Sequence, residues 1–268
     1  MSAVHQLHGT PGSAMLSIQG LNKRFGGVQA LTNVSMQVLP GEICSVIGPN
    51  GAGKTTLFNI VSRFFREDEG ELRLQGQALR ALRPHQMSAQ GVARTFQNLA
   101  IFKHRTVVEN ILVGMHARLR TGMLAAAAFL PSVRRTEIAA REEVEEIIEF
   151  LEIEALRDQP VGSLSYGLQK RVELGRALAV KPRLLLLDEM VSGMNQEETE
   201  DIARFILDIR EQRGTTVMMI EHEMGIVMDI SDRVVVLNFG HKIAEGTPTD
   251  VAADPAVIDA YLGQRRAA

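Results

Sequence analysis

The chain has 268 residues, of which 45% are hydrophobic and 23% charged, which predicts an ordinary globular protein with one large or two small domains. Its net charge of -3 gives no electrostatic basis for binding nucleic acid, and its single cysteine excludes an internal disulfide bond. No apolar run is long enough to span a membrane, and the N-terminus lacks the pattern of a signal peptide, so we expect a cytoplasmic protein.

Taken in order, the chain opens with residues 1–14, which are small and polar and predict a disordered lead. Apolar and polar residues then alternate in Met15–Gln19, Val34–Val38 and Glu71–Gln75. Alternation indicates strands with one solvated face, as in an antiparallel sheet. We therefore expect an antiparallel β subdomain near the N-terminus.

A glycine-rich loop lies between a predicted strand, Ile43–Ile47, and a predicted helix at Leu57–Val61. It fits G-x-x-x-x-G-K-[ST], in which backbone N–H groups at a helix N-terminus meet phosphate oxygens. The alternative is a glycine-rich turn that happens to precede a lysine, and the flanking strand and helix speak against it. The residues expected to bind phosphate are Gly48, Pro49, Asn50, Gly51, Ala52, Gly53, Lys54, Thr55 and Thr56.

The loop motif predicts two specific contacts. Lys54 would reach the β- and γ-phosphates of a nucleotide, and the Thr55 hydroxyl would ligate Mg²⁺. Upstream, Phe25 lies beside two glycines in a predicted turn. Its ring would either stack on a purine or pack within the small sheet, and spacing alone does not decide between these.

The middle of the chain, from about Arg94 to Gln159, has helical spacing. A helix is predicted over Thr136–Leu151 with Thr136 as its cap, and Leu119–Arg134 is interpreted as a helical insertion broken at Pro131. One apolar stripe of the predicted helix comprises Ile138, Val144, Ile147, Ile148 and Leu151.

After Pro160, strands and helices alternate, which indicates a parallel sheet. Strands are predicted at Leu184–Asp188, Thr215–Ile220 and Arg233–Leu237, and helices at Gln196–Glu211 and Thr249–Leu262, the last with a break near Pro255. We thus expect an α/β fold: a P-loop NTPase core with a mostly parallel sheet, an N-terminal antiparallel β subdomain and an inserted α-helical subdomain. Residues 15–95 and 160–268 would form the nucleotide-binding lobe, and 96–159 the inserted helical lobe.

Two carboxylates, Asp188 and Glu189, follow the apolar run Leu184–Leu187. Because a strand directs successive side chains to opposite sides, the two should have different roles. In phosphate-loop enzymes an Asp at this place holds Mg²⁺, which leaves Glu189 to face the γ-phosphate and orient or deprotonate the attacking water. The alternative is a pair of acids that opens a solvent loop.

Ser165 and Gly167 lie at the start of a predicted helix, in Leu164–Arg171. A Ser and a Gly at a helix start can form a small anion-facing nest. Alone, this pattern is more typical of an ordinary helix cap.

In their order and spacing these motifs resemble the ATP-binding cassette (ABC) ATPases over about residues 15–262. Two further segments extend the resemblance, Ser192–Asn195 and Ile220–Glu223. Within that family the chain is similar to the cytoplasmic ATPases of branched-chain amino-acid importers, the LivG type. The marks are Arg94–Asn98, Leu164–Gly167, Ile220–Met224, Ile230–Arg233, Ala260–Gly263 and the insertion after Leu119.

The resemblance implies roles for individual residues. Phe25 would stack on adenine, Glu189 would be the catalytic carboxylate, and His222 would bind the γ-phosphate. Gln97 would contact Mg²⁺ or the attacking water and couple the site to the helical lobe.

Ser165 and Gly167 would act on ATP held by a second subunit, and Asn195 would bridge the two subunits. The implied cofactors are ATP and Mg²⁺. The implied partners are a second cassette, identical or related, two transmembrane permeases and, indirectly, an extracytoplasmic solute-binding protein. The protein would then work on the inner face of the cell membrane.

Five residues depart from the family pattern. Tyr166 replaces a Gly, which is usual for the amino-acid-importer type, and Asn195 stands where an Asp is common. Leu168 replaces a Gln and would weaken hydrolysis, while Met190 and Gln196 replace prolines, so the loop after Glu189 would be looser. Other functions stay open. They are a cassette that extracts lipid or lipopolysaccharide, a non-transport cassette of DNA repair or translation, and a small-molecule kinase. The absence of a second cassette and of a long coiled coil speaks against the non-transport class, and Leu164–Gly167 against a kinase.

Overall fold

The computed structural model describes residues 14–96, 99–116, 118 and 131–265. Gln97, residues 119–130 of the predicted insertion and all but the last residue of the predicted lead lie outside this range. Side chains are described within it except for residues 131–136 and 262–265.

An antiparallel sheet follows from the alternating segments near the N-terminus. Its order is β2–β1–β4–β5, formed by β1 (Leu16–Phe25), β2 (Val28–Val38), β4 (Glu69–Leu74) and β5 (Gln77–Ala78). The first two strands are longer than predicted and are joined by a tight turn at Gly26, where φ is +56°. Register shifts along β1, between Ile18 and Leu21 and again further on, break the alternation on which the prediction depended.

A six-stranded sheet forms the centre of the molecule. Its strands are β3 (Ile43–Ile47), β6 (Val92–Arg94), β7 (Leu184–Asp188), β8 (Thr216–Ile220), β9 (Arg233–Asn238) and β10 (His241–Gly246), in the order β10–β9–β3–β8–β7–β6. All neighbours are parallel except the β9–β10 hairpin. The predicted mostly parallel sheet is confirmed. The three-residue strand β6 was not predicted, because it is too short to carry a periodic signal.

Both faces of the central sheet are buried along β3, β7, β8 and β9, as the continuous apolar runs predicted. In β7, Leu185 and Leu187 pack into the core on the helical side, whereas Leu184 and Leu186 pack against α1 and the antiparallel sheet. This packing holds the carboxyl ends of the central strands, where Asp188 and Glu189 follow, in fixed positions.

Nine helices cover the sheets within the described residues, and three short 3₁₀ turns accompany them. None of these helices is both long and apolar enough to cross a bilayer. Their bounds are α1 (Lys54–Val61), α2 (Pro84–Met87), α3 (Val107–Met115), α4 (Pro131–Phe150), α5 (Tyr166–Leu178), α6 (Gln196–Arg213), α7 (Met224–Ile230), α8 (Pro248–Ala253) and α9 (Pro255–Arg265).

Two sequence expectations about α4 were wrong. The helix begins at Pro131 and not at a Thr136 cap, because proline fits the first helical position, where its missing N–H costs nothing. Ile138 is 48% exposed, while the other members of the predicted stripe are buried. Helix α5, which follows the predicted lobe boundary at residue 159, packs on α3, which precedes it. The domain boundaries remain a prediction.

Candidate functional site

The phosphate loop takes its shape from glycines that no other residue could replace. Gly48 has φ +149°, and an added Cβ would lie 2.1 Å from the backbone oxygen of Leu237. Gly53 has φ +102°, and its Cβ would lie 2.7 Å from the oxygen of Ala30. Close approach of the neighbouring strands therefore requires glycine at both positions.

Lys54 is only 5% exposed and lies inside the curl of the loop. Its Nζ donates hydrogen bonds to the backbone oxygens of Gly48 (2.6 Å) and Pro49 (3.1 Å). Burial lowers the pKa of its ammonium group, and the charges of Glu189 and Asp188 oppose that shift. The loop thus holds a buried positive charge next to two carboxylates.

The start of α1 opens into a cavity of about 360 Å³. Its walls are loop residues 50–56, residues 28–30 of the β1–β2 hairpin, Glu189 and His222. Gly53, the N-cap of α1, offers no side-chain hydrogen bond to the first turn. The N-terminal amide groups of α1 are therefore available to an anion, and the helix dipole favours one there.

Asp188 is held by a buried arginine. Its Oδ2 lies 2.7 Å from Nη2 of Arg94, and both side chains are less than a tenth exposed. The Arg94 guanidinium also bonds Asn59 and Ser62, and it lies within 6 Å of three phenyl rings, Phe58, Phe64 and Phe96.

Sequence reasoning gave Arg94 no role in the site. A lone arginine at the end of a three-residue strand carries no signal, because its partner lies 94 residues further along the chain. The pair fixes the direction of the Asp188 carboxylate. It also joins that carboxylate to the segment that leads to Gln97.

Glu189 and His222 meet at the ends of β7 and β8, which are parallel neighbours. His222 Nε2 lies 2.9 Å from Glu189 Oε1, and His222 is the more exposed of the two side chains. Asp188, the last residue of β7, pairs with Ile220, the last residue of β8. Glu189 and His222, which follow these strand ends by one and two residues, therefore lie side by side. The structure therefore brings Glu189 and His222 to the cavity of the phosphate loop, and the roles that the sequence assigns to them stay predictions.

Glu221 is a buried acid that the sequence reading overlooked. It is 2% exposed, and its Oε1 accepts hydrogen bonds from the backbone N–H groups of Met190 (2.6 Å) and Val191 (3.3 Å). Burial raises its pKa to about 7, and the charge of Glu189 acts in the same direction. Its adjacency to His222 was the available signal.

Ser165 and Gly167 do not line the phosphate cavity of their own chain. Ser165 is exposed and caps α5, its Oγ accepting from the N–H of Leu168. Gly167 packs so closely on Glu198 that an added Cβ would lie 2.2 Å from its Oε1. Asn195 caps α6 through the N–H of Glu198. The segment is thus fixed at a distance from the other site residues.

Comparison with known proteins assigns the family. The model of the ABC transporter family matches residues 31–192. The chain is 42% identical over 250 residues to the high-affinity branched-chain amino acid transport ATP-binding protein BraF of Pseudomonas aeruginosa, covering 93% of this chain and 98% of that one. It is 40% identical to LivG of Escherichia coli K12, with the same coverage. The chain belongs to the ABC transporter family, as an ATP-binding cassette ATPase.

Solved structures agree with this cassette fold. A nucleotide-free ATP-binding cassette from an ABC transporter superposes with a TM-score of 0.81 at 32% identity, covering 92% of this chain and 98% of the other. The ADP conformation of a cassette matches with a TM-score of 0.80 at 33% identity, covering 93% and 99%. A second family model, that of the branched-chain amino acid ATP-binding cassette transporter, matches residues 241–267. This segment of the cassette contains β10, α8 and α9.

Phe25 lies at the end of β1, at the hairpin beside the cavity. Its ring is 41% exposed and meets Phe65 edge-on, with centroids 5.1 Å apart. Lys23 Nζ lies 5.2 Å from the same ring. The side chain is thus packed on one side and open on the other, and its adenine contact in the cassette stays a prediction.

The departures from the family pattern find different explanations. Leu168 is half-buried and packs against the helical-side core, so it points into the cassette's own interior. Met190 is fully buried and its N–H is hydrogen-bonded to Glu221, which argues against the looser loop expected there. Gln196 is exposed at the first position of α6 and bonds Glu200.

Proposed function

We propose that this cassette hydrolyses ATP to drive import of branched-chain amino acids, or a related small solute, through partner permeases. The observation that carries the proposal is the relationship to BraF and LivG, which their names describe as branched-chain amino acid transport proteins, over 93% of the chain. The match of residues 241–267 to the branched-chain amino acid transporter model supports it independently.

The nucleotide would lie along the phosphate loop, with its adenine towards Phe25. The loop amides at the start of α1 and the Lys54 ammonium would bind the β- and γ-phosphates. Lys54 already bonds two carbonyl oxygens, so it would exchange these weaker partners for a charged one.

Mg²⁺ would be held by the Thr55 hydroxyl and the Asp188 carboxylate, together with Gln97, and it would neutralise negative charge on the phosphates. Thr55 lines the cavity, and Asp188 ends β7 directly before Glu189, which lines the same cavity. The oxygen donors fit a hard cation.

Glu189 would orient the attacking water and accept its proton. Its Oε1 lies at the cavity wall, 2.9 Å from His222 Nε2. His222 in turn would hydrogen-bond the γ-phosphate. The two residues would thereby place the attacking water in line with the γ-phosphorus and its leaving oxygen.

A second cassette, identical or related, would present its own Ser165–Gly167 segment to this nucleotide. Because Ser165 is exposed and lies away from its own cavity, the segment has room to contact another chain. A γ-phosphate bridging two chains would bind the closed pair better than the open one, which is the differential affinity that a conformational change requires.

A permease would dock on an apolar groove of about 390 Å³ next to the site. Its lining includes the exposed rings of Phe64 and Phe102, Val113 on α3, and Arg94 with Phe96. A helix seated there would contact residues that flank Gln97 and the Arg94–Asp188 pair. The groove thus offers a direct route from the membrane partner to the site, with the cassette on the inner face of the membrane.

Uptake measurement tests the proposal. Cells that lack this gene should take up labelled leucine, isoleucine and valine poorly from micromolar solutions. The parent gene should restore uptake, and Glu189→Gln should not. Unchanged uptake of all three in the deletion strain, together with a defect in lipid or lipopolysaccharide export, would replace the importer with the extraction system.

A further inference from the structure

The loop that leaves β7 turns sharply at Glu189, which has φ +51°. A non-glycine residue in this left-handed region carries a cost that persists only where the surroundings enforce it. The first question is therefore what holds Glu189 in this conformation.

Three consecutive backbone N–H groups answer it. The N–H of Glu189 donates to the oxygen of Ile220 at 2.9 Å, and those of Met190 and Val191 both donate to Glu221 Oε1. The two acceptor atoms of these three bonds belong to Ile220 and Glu221, directly before His222. Met190, Val191 and Glu221 are each at most 2% exposed, so water does not compete for these bonds.

Met190 gives this chain a bond that the usual residue lacks. The family pattern has proline after the catalytic glutamate, and proline has no N–H to donate. Here the Met190 N–H makes the shorter of the two bonds to Glu221. The Met–Glu pair thus replaces a rigid ring with a hydrogen bond to a buried carboxylate.

We propose that Glu221 is a positioning residue that, through the N–H groups of Met190 and Val191, sets the direction of the Glu189 side chain towards His222 and the cavity. The proposal rests on the catalytic role given to Glu189 above. Glu221 itself does not line the cavity, so its effect should appear in turnover and not in nucleotide affinity.

Matched substitutions separate positioning from folding. Glu221→Gln keeps the oxygen acceptor, whereas Glu221→Leu removes it at similar volume. We expect Glu221→Leu to lower kcat about tenfold relative to Glu221→Gln, since it leaves two buried donors unpaired, while the Kd for ATP stays equal within about twofold.

The second arm uses Met190. Met190→Leu keeps the N–H and the volume, and Met190→Pro removes the donor. In the Met190→Pro background one of the two bonds is already absent, so the kcat ratio between Glu221→Gln and Glu221→Leu should fall, to about threefold. If Glu221→Leu does not fold, kcat of Met190→Pro against Met190→Leu decides, with a loss of about threefold expected.

Amide hydrogen exchange in the peptide containing residues 190 and 191 reads the bonds without reference to activity, and it should be faster in Glu221→Leu than in Glu221→Gln. Faster exchange with equal kcat would overturn the positioning role and leave Glu221 a structural residue. Equal exchange in both would show that the bonds themselves are absent. If Glu189→Gln hydrolyses ATP normally, it is the catalytic role of Glu189 that fails.

Discussion

The phosphate loop and the Ser165–Gly167 segment are both glycine-containing helix starts, yet the fold gives them opposite surroundings. The first opens into a cavity, has a buried lysine and leaves the N-terminus of α1 without a side-chain cap. The second is capped by its own serine, and that serine faces solvent.

This difference fits the proposal that one chain carries all the ATPase motifs and that each nucleotide is bound by motifs from two chains. The phosphate loop, Glu189 and His222 surround one side of the cavity. Ser165 and Gly167 do not line that cavity within the same chain, and Gly167 is packed on Glu198 of α6. A second chain is the natural place for that contact, and each prediction below acts on one region or the other.

The largest effect on turnover is expected at the phosphate-loop cavity. Glu189→Gln should lower ATP turnover at least ~100-fold, the contribution typical of a positioned general base, and leave the Kd for ATP nearly unchanged. Phosphate release and calorimetry measure the two quantities. Glu197→Gln, an exposed carboxylate on α6, is the control. Parent-level turnover in Glu189→Gln would remove this residue from catalysis.

The buried acid behind Glu189 predicts a pH dependence of stability. Its pKa rises from 4.5 to about 7 on folding, chiefly through burial, with Glu189 adding to the shift and Lys170 opposing it. Since a raised carboxyl pKa favours the folded state while protonated, this contribution is full below pH 4.5 and is lost as pH rises through 7.

The parent should therefore lose up to about 3 kcal/mol of unfolding free energy relative to Glu221→Gln between pH 4.5 and 8. Urea unfolding of both proteins across this range measures the difference. A pH-independent difference would mean that the pKa of Glu221 does not change on folding.

Lys54→Ala tests the cradle itself. Losing a charged hydrogen-bond donor to phosphate should weaken ATP binding about 10- to 100-fold, measured by calorimetry. Lys242→Ala, which removes a surface lysine paired with Glu245, should bind as the parent does. Equal affinity in the two variants would show that the loop does not use its lysine.

Ser165→Ala tests the Ser165–Gly167 segment. It should cost about 1 kcal/mol of stability through the lost helix cap. It should also lower turnover about tenfold without changing the affinity of an isolated chain for ATP. Ser163→Ala, two residues earlier and also exposed, is the control, and it should not lower turnover. A drop in single-chain affinity would place Ser165 beside its own nucleotide.

Leu168→Gln should have the smallest effect. The side chain packs against the core, so restoring the family's Gln should lower the thermal midpoint slightly and change turnover less than about twofold. A tenfold rise in turnover would show that residue 168 faces the phosphate of the neighbouring chain after all.

The sequence was sufficient for the parts whose physics is local. The phosphate loop, the buried runs ending at Asp188 and the helix capped by Ser165 each combine a short motif with an unambiguous period. The Arg94–Asp188 pair and the Glu221 clamp on Met190 and Val191 join residues 94 and 31 positions apart. Such contacts depend on strand order, and no spacing in the chain encodes them.

The bounds of strands and helices were also predicted incompletely from the sequence. Two bulged strands near the N-terminus were predicted too short, because each register shift reverses the face on which apolar residues fall. Thr136 was predicted to cap α4, although this helix begins five residues earlier, at Pro131. In both places the sequence pattern is compatible with more than one structure, and the pattern alone does not choose between them.

The most direct test of the central claim uses two tagged versions of the chain. One carries Glu189→Gln and binds ATP bearing a photoreactive group on its γ-phosphate; the other carries Lys54→Ala and so binds nucleotide poorly. After illumination, the label should appear on the Lys54→Ala chain, within residues 164–168. Label found solely on the nucleotide-binding chain, at its own loop, would contradict a shared site.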